Sequence, residues 1–235
     1  MFNAILQIVL LPILLLQGAW VALRVPRLPE AEGPRTGLLG TGRPLKVLIV
    51  GDSSSVGVGV ATQDDALAGH VARALSKSFR VSWTVVGRNG ATTRGLSRDL
   101  ERESAMAFDV AIIALGVNDV KNGVPLRLWI DHYARLVSQL RERFGASLVL
   151  ASGLPPFGEL HILPQPLRYV LGRRSIAFDE KLAALARATD GLVHLPFDGA
   201  LDPTFLAKDG LHPSPALYSI WAGRVADAFN DNWGG

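Results

Sequence analysis

The run Leu45-Lys46-Val47-Leu48-Ile49-Val50 passes without a break into Gly51-Asp52-Ser53-Ser54-Ser55. An apolar run that does not alternate with polar residues reads as a strand buried on both faces. Such a strand needs helices above and below it, and here it must end in a tight turn that presents a hydroxyl.

The rest of the chain repeats that plan. Further strands read at residues 81–86, 110–115, 147–151 and 192–195. Helical periods read at 65–79, 126–144 and 176–189, and a last helix is opened by Pro213. Leu67, Val71 and Leu75 recur every four residues, and Trp129, Ile130, Tyr133, Leu136, Val137 and Leu140 share one helix face. Residues 153–174, with four prolines, read as irregular. The expected class is therefore α/β, a parallel sheet covered on both faces. In such sheets ligands bind beyond the carboxyl ends of the strands.

The chain has 235 residues, 49% of them hydrophobic, enough for a sizeable core in one domain of roughly 190 residues once the N-terminus is set aside. Net charge is only +3 and the basic residues are scattered, so no nucleic-acid partner is expected. With no cysteine, disulfides, thiolate metal sites and cysteine nucleophiles are excluded. His70, His132, His161, His194 and His212 show no metal-ligand spacing, and neither a metal nor any other cofactor is expected.

Residues 2–23 carry no formal charge and only Asn3, Gln7 and Gln17 as strongly polar interruptions. As a helix they would extend about 33 Å, near the thickness of a bilayer core. No basic residue precedes the run and no small-x-small cleavage site follows it, which favours an uncleaved anchor over a signal peptide. Three parts are expected: a membrane anchor at 1–25, a Pro/Gly/Glu/Arg linker at 26–42 and a compact α/β domain at 43–235. Arg24, Arg27 and Arg35 after the run place that domain on the cytoplasmic side by the positive-inside rule, with a periplasmic or secreted domain as the alternative. Pro12 also allows a kinked helix that dips into one leaflet.

Three motifs carry chemistry. A serine hydroxyl is a weak nucleophile until a base stands within hydrogen-bond reach and a third group holds that base. Ser53 is the expected nucleophile. Asp209-Gly210-Leu211-His212 supplies a base, His212, and in the same short turn a carboxylate, Asp209, able to hold its tautomer. The oxyanion needs donors fixed in advance. Those expected are the backbone N–H groups of Ser53 and Gly90 and the side-chain amide of Asn118, from Gly116-Val117-Asn118-Asp119. Ser54 and Ser55 are rival nucleophiles that suit a turn-capping role. Asp52 is read as structural and Asp119 as the cap of its own turn. His194 and His161 are rival bases without a neighbouring acid, and Asp202 is an alternative to Asp209.

With Gly51-Asp52-Ser53, Asn89-Gly90-Ala91-Thr92-Thr93, Gly116-Val117-Asn118-Asp119 and Asp209-Gly210-Leu211-His212 in this order, the chain resembles the SGNH hydrolases, or GDSL-type esterases and lipases. Ser54 stands where the family name has leucine. The resemblance implies a three-layer α/β/α sandwich with a five-stranded parallel sheet, flavodoxin-like in arrangement. It also implies a metal-free acyl-enzyme mechanism. A membrane-tethered serine esterase acting on a small-molecule or lipid ester, or on a thioester, is the resulting expectation. Phe157, Leu160, Ile162 and Leu163 are read as a possible acyl groove or lid. The alternatives are a glycan O-acetyl esterase and a non-catalytic ligand-binding relative.

Overall fold

A computed structural model describes residues 4–197 and 201–233, with side chains in the first helix described from Leu10. The elements run α1 (Ala4–Arg24), β1 (Thr36–Leu39), β2 (Arg43–Gly51), α2 (Leu67–Leu75), β3 (Phe79–Gly87), α3 (Thr93–Leu100), β4 (Val110–Ala114), α4 (Val117–Lys121), α5 (Leu126–Glu142), β5 (Leu148–Ser152), α6 (Leu167–Arg187), β6 (Leu192–Leu195) and α7 (Pro215–Asn232).

One sheet is formed, in the order β1-β3-β2-β4-β5-β6. Its last five members are parallel, as expected. Successive residues of β2 face opposite layers. Val47 and Ile49 pack with Leu67 and Val71 of α2 and with Tyr218, Val225 and Phe229 of α7. Leu48 and Val50 pack with Leu96 of α3, Trp129 and Tyr133 of α5 and Phe178 of α6. Both faces are thus covered, which is why the strands are apolar throughout. Chain order reverses between β2 and β4, so the turns after these two strands form the crevice where open α/β sheets bind ligands.

The sheet is mixed rather than purely parallel, which corrects the five-stranded expectation. Residues 36–39, expected to lie in the 26–42 linker, form a sixth strand antiparallel to β3. Its edge position needs no hydrophobic alternation. Gly37 lies opposite Trp83, and a side chain there would collide with the indole. Helix α6 also starts earlier than expected, at Leu167. Pro166 falls just before the first turn, where proline is compatible with a helix start. Helix α3 falls where no helical period was read, and α4 where a turn was.

Among the described residues no helix is long and apolar enough to cross a membrane. Residues 1–3 of the expected anchor, and the side chains of 4–9, lie outside the described residues. The C-terminal half of α1 rests on the domain instead of standing free. Gln17 donates from Nε2 to the Gln165 carbonyl (2.6 Å) and accepts from Leu167 N–H (3.0 Å), while Val21 packs against the core. Pro166 offers α6 no capping side chain, and Gln17 fills that role from far away in sequence.

Trp129 is the largest fully buried side chain. It stacks on Phe178 with ring centroids 4.5 Å apart, and its Nε1 donates to Thr93 Oγ1 at 3.1 Å. Trp129→Ala is expected to lower unfolding free energy by about 3–5 kcal/mol in urea titrations, through the cavity left behind.

Candidate active site

The turn after β2 is shaped by two glycines that face each other in register, Gly51 and Gly87. A Cβ on Gly51 would lie 2.6 Å from Ser55 Cβ and 2.7 Å from the Ala114 carbonyl oxygen, and one on Gly87 would collide with Ser55 Oγ. Their absence lets the chain fold back so that Ser55 Oγ donates to the Asp52 carbonyl (2.8 Å). Ser54 donates to Asp52 Oδ1 from N–H (3.0 Å) and from Oγ (2.9 Å). Both rival serines are therefore spent on the turn, and Ser53 is left pointing into the crevice. Residues after Ser53 continue as turns. The next α-helix begins only at Leu67, so the turn does not lead directly into a helix.

His212 reaches this turn from the other end of the chain. Its Nε2 is 3.0 Å from Ser53 Oγ, and its Nδ1 is 2.5 Å from Asp209 Oδ2. The second carboxylate oxygen accepts from Leu211 N–H and His212 N–H, both at 3.0 Å. The three-residue spacing explains itself here: one short turn, with Gly210 at φ +67°, lets a carboxylate hold both its own loop and the ring. With Nδ1–H directed at Asp209, Nε2 is free to take the Ser53 proton. Burial pushes the Asp209 carboxyl up, but the bonds from the His212 ring and from the two N–H groups outweigh it, and the group titrates below its ordinary value.

Of the three expected oxyanion donors, two are backbone N–H groups that donate to nothing among the described residues, those of Ser53 and Gly90. Gly90 sits in the exposed turn after β3 at φ +76°, with open space where a side chain would be. The third behaves differently. Asn118 Nδ2 is already bonded, to the Ala91 carbonyl (3.0 Å) and to Asp52 Oδ2 (3.3 Å).

The structure adds residues that sequence reasoning missed or misread. Asp119 does not cap its own turn. Its Oδ2 accepts from Thr93 N–H and Thr93 Oγ1, both at 2.9 Å, and so pins the loop that carries Gly90. Glu30, from the supposed linker, accepts from Asn89 N–H (3.0 Å) and pairs with Arg35, which donates to the Gly87 carbonyl (2.9 Å). No motif signalled Glu30 or Arg35. His194 does have an acid, Asp179 (2.9 Å), which also takes Leu154 N–H (2.9 Å); the pair braces the loop after β5 and does not reach Ser53. His161 is bonded to Arg168, and Asp202 caps Thr204. Neither joins the site. Among the described residues no cluster of His, Asp and Glu could hold a metal ion.

A cavity of about 310 Å³ opens beside Ser53, Asn118 and His212, and its inner wall is apolar. Phe157 and Leu160 of the proline-rich segment line it with Leu154, Leu211 and Trp221. Leu163 is buried in the core instead, with Ile162 packed against it. A larger shallow depression between α5 and α6 contains none of these groups.

Asp209→Asn preserves shape but lets the ring adopt the wrong tautomer. Stopped-turnover assays are expected to show kcat reduced about ten-thousandfold with KM little changed. The carboxylate's contribution to stability is complete above its unfolded-state pKa and is lost as pH falls through the lower folded-state value. The Tm gap between wild type and Asp209→Asn therefore narrows in acid.

Residues 49–220 match the sequence profile of the GDSL-like lipase/acylhydrolase family. A GDSL-like esterase of Mycobacterium tuberculosis is 27% identical over 198 residues, which make up 79% of this chain and 62% of that relative's length. Among solved structures, TesA superposes with a TM-score of 0.61 at 22% identity, over 79% of this chain and 98% of its own. A family 3 carbohydrate esterase of Clostridium thermocellum superposes with a TM-score of 0.63 at 16% identity, over 80% and 96%. At those identities the two structures speak for the fold alone. The profile match covers most of the chain, which therefore belongs to the GDSL-like lipase/acylhydrolase family of ester-hydrolysing serine enzymes.

Proposed function

We propose that this protein is a serine esterase that holds an apolar acyl group in the cavity beside Ser53 and transfers it to water through an acyl-enzyme. The observation that carries this reading is the unbroken line Ser53–His212–Asp209 at the mouth of an apolar cavity, with two unspent N–H groups nearby. Ser53 Oγ attacks the ester or thioester carbonyl carbon as its proton passes to His212 Nε2. The electron pair displaced onto the carbonyl oxygen is met by the N–H groups of Ser53 and Gly90 and by the Asn118 amide. Collapse expels the alcohol or thiol, which takes the proton from His212. A water molecule repeats the sequence and releases the acid.

The cavity wall favours a chain longer than acetyl, because an acetyl group would leave most of that apolar surface uncovered. A panel of p-nitrophenyl esters and acyl thioesters tests this. Turnover is expected to rise with acyl length beyond acetate, to vanish in Ser53→Ala, and to be blocked by a fluorophosphonate that labels Ser53. A maximum at acetate would favour the glycan O-acetyl esterase instead, and the absence of Ser53 labelling would favour a non-catalytic relative. Leu160→Trp narrows the cavity and is expected to move the preferred acyl length downward with little change in acetate turnover.

We also propose that the domain is held at a membrane through residues 2–23, on its cytoplasmic side. Supporting this are Leu11, Leu15, Leu16 and Leu23, exposed on α1, and Trp20, which carries the Arg24 guanidinium over its ring as at a lipid interface. Deleting residues 1–25 is expected to move the protein from the membrane to the soluble fraction on flotation.

A further inference from the structure

Asn118 is the one oxyanion donor that is not free. An amide NH₂ has two hydrogens. One goes to the Ala91 carbonyl at 3.0 Å and the other to Asp52 Oδ2 at 3.3 Å. Ala91 directly follows Gly90 and Asp52 directly precedes Ser53, so the amide spans the two segments that carry the unspent N–H groups. An oxyanion can gain a bond from Asn118 only by taking one of these two hydrogens. The bond to Asp52 is beyond the usual length for N–H···O and is the weaker of the pair.

Asp52 is buried, and among the described residues no cation is bonded to it. Its Oδ1 is taken by Ser54 N–H and Oγ, and its Oδ2, among the described residues, by Asn118 alone. Only a carboxylate can accept at both ends. Burial pushes its pKa up; the Ser54 bonds and the nearby His212 and Lys121 pull it back only in part.

We propose that Asp52 is a positioning residue that acts through Asn118: in the resting enzyme it parks the amide hydrogen on Oδ2, and it surrenders that hydrogen to the oxyanion as the tetrahedral intermediate forms. The Ala91 bond is the pivot and the Asp52 bond is the one exchanged. The amide is thereby aimed before substrate arrives, at the cost of a bond weak enough to give up. This inference rests on the esterase reading above.

The test is a double-mutant cycle in kcat, using a p-nitrophenyl ester that the wild type turns over. Asp52→Asn keeps the shape but presents a donor either to Ser54 N–H or to the Asn118 amide, which misaligns one of them. Asn118→Ala is expected to lower kcat by about 10²–10³-fold. Asp52→Asn is expected to lower it by at least about tenfold with KM within about twofold, and to cost less than about twofold more once Asn118 is already Ala. Losses that multiply in the double variant, or an Asp52→Asn enzyme with wild-type kcat, overturn the proposal. Should Asp52→Asn fail to melt cooperatively, Ser54→Ala decides. It removes only the hydroxyl that donates to Asp52 Oδ1, and its loss of kcat must likewise disappear in the Asn118→Ala background. A wild-type protein with no Ser53-dependent turnover and no fluorophosphonate label would sink the esterase reading itself, an outcome distinct from multiplying losses in an active enzyme.

Discussion

The hydrogen bond between Ser53 Oγ and His212 Nε2 joins residues 159 positions apart, and the rest of the architecture can be understood as the means of closing that gap. Two contacts bring the segments together. Gly59, at φ +110°, lies under His212 and Pro213; a side chain there would meet His212 Cβ at 3.4 Å and collide with the Pro213 carbonyl. From α7, Tyr218 Oη donates to the Val58 carbonyl at 2.9 Å, so the helix that follows His212 is tied to the turn that follows Ser53. Helix α7 itself is held by the apolar layer it shares with α2 over one face of the sheet. A bond of about 3 Å is thus maintained by burial far larger than itself.

Three carboxylates lie buried around this bond, and each is matched to different donors. Asp209 serves its own loop and the imidazole, Asp52 serves the catalytic turn and the Asn118 amide, and Asp119 serves the Thr93 loop. Burial raises the pKa of Asp52 and Asp119, whereas the bonds to Asp209 overcome burial and lower it. Only the last is bonded directly to the imidazole that must accept a proton, which separates the carboxylate that supports proton transfer from two that position neighbouring groups.

Legibility followed locality. Asp209 and His212 could be paired from sequence because their contact spans three residues and one turn. The parallel strands were readable because burial on both faces leaves an unbroken apolar run. Strand β1 was not, since an edge strand held by backbone pairing needs no pattern of its own, and Gly37 makes sense only against Trp83. The start of α6 was hidden by prolines that read as breakers. Glu30 and Arg35 brace the Asn89–Gly90 turn from a segment whose composition says linker. Asp119 was misread because its partner, Thr93, lies 26 residues away on another loop.

From the sequence by itself came the α/β class, the five parallel strands and the pairing of Asp209 with His212, because strand burial and a D-x-x-H spacing are encoded within a few residues. Tertiary structure alone decided which polar atoms are spent and which remain free. Whether Ser53 N–H and Gly90 N–H have partners, and whether the Asn118 amide is already engaged, depends on loops that meet only after the sheet is assembled. A hydrogen bond is satisfied within a few tenths of an ångström, and no local pattern reaches across 159 residues with that precision.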